Sequence, residues 1–179
     1  PGAARRAGNH QIEPFLLASS VPGLMVVIGA DRHAAGQLAM RELQPDIFIL
    51  DDGFQYLALK HRVEIVLVDR TNPFGNGHVL PRGLLREPIE NIRRANFIFI
   101  TKSDGVGTDD LKARLRSLNP SAEIIECRHS ARHLKNLFTN EQKPLEFLRG
   151  LRVVAVSGIA VPAGFEGELE RRGATLVGK

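Results

Sequence analysis

Two adjacent carboxylates, Asp51 and Asp52, close the apolar run Ile47-Phe48-Ile49-Leu50. An acid delivered to the rim of a sheet by a buried strand is how phosphoryl-transfer sites hold Mg²⁺, usually through water. Asp-Asp-Gly is also common at turns, so Asp51 capping a turn into Gly53 accounts for the same residues. A loop from Phe74 to Pro88 follows, long for a connection inside one domain and rich in Gly, Pro and Leu. Its glycines permit close backbone approach to a ligand, and Arg82 and Arg86 are planar donors suited to phosphate; the plain alternative is an Arg86–Glu87 surface pair. Thr101-Lys102-Ser103-Asp104 has the form with which GTPases grip guanine, and equally that of a strand end followed by a polar turn. Gly173-Ala174-Thr175-Leu176-Val177-Gly178-Lys179 has P-loop spacing, but it follows a helical segment where a P-loop follows a strand, and a helix-ending Gly173 explains it better. His129 and His133 are spaced as a helical pair with no third ligand nearby, and Cys127 reads as a structural thiol at a strand end.

The elements that position these groups follow from hydrophobic period. Leu24–Gly29, Ile47–Leu50, Val63–Val68, Phe97–Ile100, Ala122–Glu126, Val153–Val156 and Thr175–Val177 read as strands. Between them, helices are expected from Arg32 to Leu43 after an Asp31 cap, near Ile89 to Ala95, after a Thr108-Asp109-Asp110 cap to Asn119-Pro120, and from Phe165 to Arg171. The stretch from about His129 to Pro144 reads as polar and irregular. Continuous apolar strands alternating with helices predict an α/β fold, a mostly parallel sheet flanked by helices in the doubly wound manner, with the site at the carboxyl ends of the strands.

The 179 residues, 43% hydrophobic and 25% charged, suit one globular domain and exclude a disordered or repeat protein. One cysteine excludes a disulfide framework. The formal net charge of +4 reads as spread along the chain and suits an anionic ligand, with no basic stretch of the kind nucleic acid requires. The longest uncharged stretch, Pro14 to Ala30, is broken by Pro22, Gly23 and two serines, which predicts no membrane-spanning helix. The first residues lack an initiator Met and a signal-peptide centre, so the chain reads as an internal fragment.

Taken together, Ile49-Leu50-Asp51-Asp52-Gly53-Phe54-Gln55, then Phe74-Gly75-Asn76-Gly77, then Leu80-Pro81-x-Gly83-x-Leu85-Arg86-Glu87-Pro88 resemble the tetraacyldisaccharide 4'-kinase family in letters, order and spacing. Glu13-Pro14 before Leu16-Leu17-Ala18, Gly29-x-Asp31-Arg32, and Ser157-Gly158-Ile159-Ala160-x-Pro162 carry the resemblance over nearly the whole chain.

The resemblance implies a P-loop kinase that moves the γ-phosphoryl group of ATP to the 4'-hydroxyl of a lipid A disaccharide precursor at the cytoplasmic face of the inner membrane. It implies Mg²⁺ on Asp51 and Asp52, catalytic roles for these two with Glu13 and Arg86, and nucleotide or substrate contacts from Gln55, Glu87, Arg32 and Asn76. Residues 1–179 are then one incomplete kinase-like domain, with the metal-binding part at about 1–145 and the start of a C-terminal lobe at about 150–179. The phosphate cradle is expected upstream, as are the segments that meet the membrane, and the fragment alone is expected to be inactive. Three positions depart from the family pattern. Ile12 stands where the family has the Asp proposed as base, Tyr56 where it has His, and Arg82 and Leu84 interrupt its Pro-Ala-Gly-Pro. Ile12 and Tyr56 leave open a non-catalytic nucleotide-binding or scaffold homologue, and Thr101-Lys102-Ser103-Asp104 a GTPase-like regulator.

Overall fold

The computed structural model describes residues 12–60, 63–159 and 161–178. Helices α1 (Ile12–Ser20) and α2 (Arg32–Glu42) precede a three-stranded parallel sheet of β1 (Ile65–Asp69), β2 (Phe97–Thr101) and β3 (Glu123–Glu126), in the order β1-β2-β3. A 3-10 turn, Ile89–Arg94, links β1 to β2, and α3 (Asp109–Leu118) links β2 to β3. The ladder aligns Val68 with Ile100 and Ile98 with Ile124. The central strand alternates, and Ile98 and Ile100 are fully buried with Val68, Phe74, Ile92, Ala95 and Leu115 in one apolar core. The α/β class and the parallel sheet flanked by helices agree with the sequence pattern.

Caps and polar anchors set the helix limits. The Asp31 carboxylate accepts from the amides of His33 and Ala34 at 2.9 and 3.0 Å, as its position before an apolar-periodic segment predicts. Thr108 does not make the expected cap; its buried hydroxyl donates instead to Glu126 at 3.1 Å. Asn119, expected only as a helix stop, is buried and donates to the carbonyls of Ile92 and Ala95, both at 2.9 Å. It also accepts from Ser121 and Ala122, so one satisfied amide ties α3, the 3-10 turn and the start of β3 together.

Two expected strands form no ladder. Leu24–Gly29 and Ile47–Leu50 run without strand pairing, and Ile47 and Ile49 are 78% and 87% exposed. Apolar content makes a segment competent for a sheet, but pairing requires a neighbour's N–H and C=O groups in register, and none among the described residues supplies them.

Beyond β3 the stretch expected to be irregular contains an antiparallel hairpin, β4 (Leu134–Lys135) with β5 (Gln142–Lys143). The His129 and His133 pair lies in irregular chain before it, so helical spacing does not bring them to one face. A 3-10 turn, Leu145–Leu148, leads to β6 (Arg152–Val154), α4 (Pro162–Arg171) and β7 (Thr175–Gly178), a right-sized parallel crossover of its own. Gly173, at φ +85°, follows α4 and precedes β7, which is the helix-ending role expected for it and not that of a P-loop glycine. Lys179 lies outside the described residues. No described helix is long and apolar enough to cross a membrane.

Candidate active site

Asp51 and Asp52 occupy a turn directly after Ile47–Leu50, and Asp52 adopts the left-handed conformation at φ +51°. This backbone is uncommon outside glycine, though Asp tolerates it better than most residues. Gly53 follows because the chain folds back on itself: a Cβ there would stand 2.8 Å from the Leu50 Cβ. The exposed carboxylates of Asp51 and Asp52 therefore sit on a tight corner.

Two arginines from distant segments converge on that corner. Arg32, at the start of α2, donates from Nη1 to the Asp52 carbonyl at 3.0 Å, and its guanidinium lies 5.4 Å from the centroid of the Tyr56 ring. Arg86, from the long loop, donates from Nη1 to the Asp52 Oδ2 at 3.0 Å. Both members of that second pair are about 60% exposed, so the contact is weak and exchangeable.

The adjacent residue is held firmly. Glu87 accepts from Gln55 Nε2 at 3.0 Å, from Asn91 Nδ2 at 2.7 Å, and from Arg94 Nη2 at 2.9 Å. Burial pushes the Glu87 carboxyl up, but the hydrogen bonds from Gln55, Arg94 and Asn91 prevail and hold it below its ordinary value. Arg94 also donates to the Phe54 carbonyl at 3.1 Å, and its guanidinium stacks over the Phe54 ring at 4.3 Å. Glu87 and Arg94 thus fasten the Phe54-Gln55 segment to the end of the loop, which fixes where Arg86 emerges.

The rest of the loop is built to hold its shape. The Asn76 amide donates to the Arg82 carbonyl at 2.9 Å and its oxygen accepts from the His78 amide at 3.3 Å. Leu80 and Leu85 bond across it, and buried Gly83 is obligatory, since a Cβ there would meet the His78 carbonyl at 2.0 Å. Buried Phe74 anchors its start under the Arg114 guanidinium at 4.5 Å.

The structure therefore brings together Arg32, Asp52, Gln55, Arg86 and Glu87, with Asp51 adjacent in the chain. Asn76 lies farther along the same loop with its amide engaged inside it. Ile12 and Glu13 open α1, and their side chains lie outside the described residues. Sequence reasoning missed Arg94 and Asn91, whose positions in a short 3-10 turn carry no signal that they clamp Glu87.

It also missed a second polar knot, at the ends of β2 and β3. Glu126 accepts from Lys112, Ser103 and Thr108, and these bonds, the one from Lys112 foremost, hold its carboxyl down at about 2. An acid ending the apolar strand Ile124-Ile125-Glu126 was the available signal, because a carboxylate there needs a partner. Lys102 pairs with Asp69, and Asp104, the residue that guanine recognition would need, pairs with Arg70 at 3.1 Å. A cleft of about 580 Å³ nearby is lined by Lys102, Ser103, Asp104, Arg128 and residues at the end of α4, none of them a residue expected for the kinase site.

Among the described residues no cluster of three or more His, Cys, Asp or Glu side chains forms a ready metal cage. Asp51 and Asp52 nonetheless suit Mg²⁺, which takes one or two carboxylates and completes its shell with water and substrate phosphates.

Comparison with known proteins gives the family. The profile described as tetraacyldisaccharide-1-P 4'-kinase matches residues 3–179. The chain belongs to that family. A tetraacyldisaccharide 4'-kinase of Pelobacter propionicus is 46% identical over 165 residues, covering 92% of this chain and 44% of the relative. One of Geobacter sulfurreducens is 45% identical over 98% of this chain and 47% of its own length, and one of Halothermothrix orenii 34% identical over 92% and 46%. The chain spans about half the length of the relatives it matches. No solved structure matches it.

Proposed function

We propose that this chain is the Mg²⁺-binding half of an ATP-dependent kinase of P-loop type that phosphorylates the 4'-hydroxyl of a tetraacyldisaccharide 1-phosphate at the cytoplasmic face of the bacterial inner membrane. Family membership supports the reaction class. The observation that carries the site is the convergence of Arg32 and Arg86 on Asp52.

Phosphoryl transfer is mostly positioning and charge neutralisation, and each side chain has a part in that. Asp51 and Asp52 would hold Mg²⁺, which would supply positive charge against the phosphates of the nucleotide. Arg86 holds Asp52 through an exposed pair that costs little to break, so its guanidinium is free to turn to a phosphate when nucleotide arrives. Arg32 keeps the Asp52 carbonyl in the left-handed corner, and Tyr56 supports Arg32. Gln55 spends its N–H on Glu87 and keeps its carbonyl oxygen for a substrate hydroxyl; Glu87 and Asn76 act by fixing Gln55 and the loop. Glu13 is the nearest acid in sequence to the base position that Ile12 vacates, and substitutes for it only in part, taking the proton as the hydroxyl oxygen attacks phosphorus and ADP leaves. The phosphate cradle comes from outside residues 12–178.

In a protein of full family length carrying this chain, Asp51→Ala abolishes Mg²⁺-dependent transfer from ATP to the disaccharide while the thermal transition stays in place. Retained turnover overturns the reading. Nucleotide binding with no turnover in the unsubstituted protein favours the non-catalytic homologue that Ile12 and Tyr56 allow.

A further inference from the structure

The β4–β5 hairpin ends in the two most exposed large apolar side chains of the described residues, Leu137 at 88% and Phe138 at 95%. They are adjacent, and a braced turn presents them. The Asn136 oxygen accepts from the amides of Phe138 and Thr139 at 2.8 and 3.0 Å, Asn136 and Glu141 close the turn at 2.9 Å, and Asn140 takes the left-handed conformation at φ +59°. Such a turn is ordered without help from Leu137 or Phe138, so their exposure serves no local packing. Solvent-facing Leu and Phe side by side mark an interaction surface.

The surrounding charge identifies the partner. Arg128, Arg132, Lys135 and Lys143 stand against the single acid Glu141, so residues 128–143 carry +3 of the whole chain's +4. The excess that looks spread in composition is concentrated here. No ion pair or hydrogen bond engages the side chains of Arg128, Arg132 or Lys135 among the described residues. Lys143 lies 4.3 Å over the half-exposed Phe147 ring and only 3.7 Å from Glu141. A tip of two exposed apolar side chains, flanked in the chain by Arg132, Lys135 and Lys143, is complementary to a surface that is apolar below and anionic above.

We propose that the hairpin tip docks on an anionic lipid bilayer, with Leu137 and Phe138 entering the headgroup boundary and Arg132, Lys135 and Lys143 meeting lipid phosphates. This deepens the proposed function and rests on it for the location at a membrane face, but the contact itself requires neither ATP nor the disaccharide, so vesicle binding and turnover fail separately.

The test uses the intact protein and vesicles of phosphatidylglycerol and phosphatidylcholine in equal parts, with pure phosphatidylcholine as the second arm. Sedimentation with the anionic vesicles is expected, weakening as added salt screens charge over about 10 Å. The double variant Leu137→Ser, Phe138→Ser is expected to lose affinity roughly tenfold or more for each side chain, with an unchanged thermal transition and oligomeric state. Equal binding by the double variant, or equal binding to both vesicle types, overturns the proposal. A lowered transition or altered oligomeric state with vesicle binding intact shows that protein covers the tip, and overturns it too. Should the serine variant fail to fold, Phe138→Trp decides: a blue-shifted emission difference on anionic vesicles supports the proposal, and an unmoved spectrum refutes it.

Discussion

Arg86 and Glu87 are neighbours in the chain with opposite physical situations, and this divides their roles. Glu87 is largely enclosed and receives three donors, whereas Arg86 and its partner Asp52 stand open to solvent. An exposed pair contributes roughly 0–1 kcal/mol, so Arg86→Ala is expected to leave thermal unfolding within about that margin. Turnover in the full-length enzyme is expected to fall about 10²-fold, as for other lost donors to developing charge. Unchanged kinetics would place Arg86 outside the reaction. Ile12 gives the complementary test. A hydrocarbon cannot take a proton, and positioned acid–base catalysis supplies roughly 10²–10⁴-fold. In a full-length protein Ile12→Asp is therefore expected to raise kcat at least roughly tenfold with little change in nucleotide affinity, because a base acts in the transition state. A gain much below that, measured by steady-state kinetics, identifies Glu13 as an effective substitute.

At the scale of elements, the loop after β2 depends on Glu126. Its carboxyl binds Lys112 of α3 and the hydroxyls of Ser103 and Thr108, which clamps both ends of the segment carrying Asp104. These bonds hold the carboxyl at about 2 in the folded chain against an ordinary 4.5. A depressed folded value means the stabilisation is complete above about 4.5 and is lost as pH falls through about 2. The gap in melting temperature between the unsubstituted protein and Glu126→Gln should thus be widest above that upper value and close toward the lower; a gap independent of pH rules out the ionised clamp. Little of this knot was legible in the sequence. β1 to β3 were, because the strands of a parallel sheet read as unbroken apolar runs, even though Ile65 and Leu67 of β1 are exposed, and α2 was, because Asp31 announces its start. The turn at Asp51 and Asp52 was legible from residue type and the Arg86 loop from its length, but the buried strand expected to deliver the two acids to a sheet rim is not there: Ile47–Leu50 is unpaired and largely exposed. The hairpin was not: its strands have two residues each, too short for any period, and Asn136 holds it by bonds local to the turn. Leu24–Gly29 and Ile47–Leu50 read as strands for the same reason as β2, yet a ladder needs a partner, which composition does not encode.

For the molecule as a whole, the decisive feature is how much apolar surface those unpaired segments leave uncovered. Phe15, Leu16 and Leu17 of α1, Met25 and Ile28, and Ile47, Phe48 and Ile49 are each about half exposed or more. The core built on Ile98, Ile100 and Leu115, by contrast, is closed. Contiguous apolar exposure on this scale marks surface meant for burial, and unpaired backbone beside it seeks another strand. The chain also spans about half the length of its relatives. Residues 12–178 expressed alone are therefore expected to bind a hydrophobic dye such as ANS strongly and to self-associate as concentration rises. A protein of full family length is expected to do neither. The comparison is made by dye fluorescence and light scattering on both proteins at equal concentration. If the isolated chain stays monomeric and binds no more dye than the longer protein, Leu24–Gly29 and Ile47–Leu50 are covered within this chain, and the site at Asp51 and Asp52 is complete on that side without further strands.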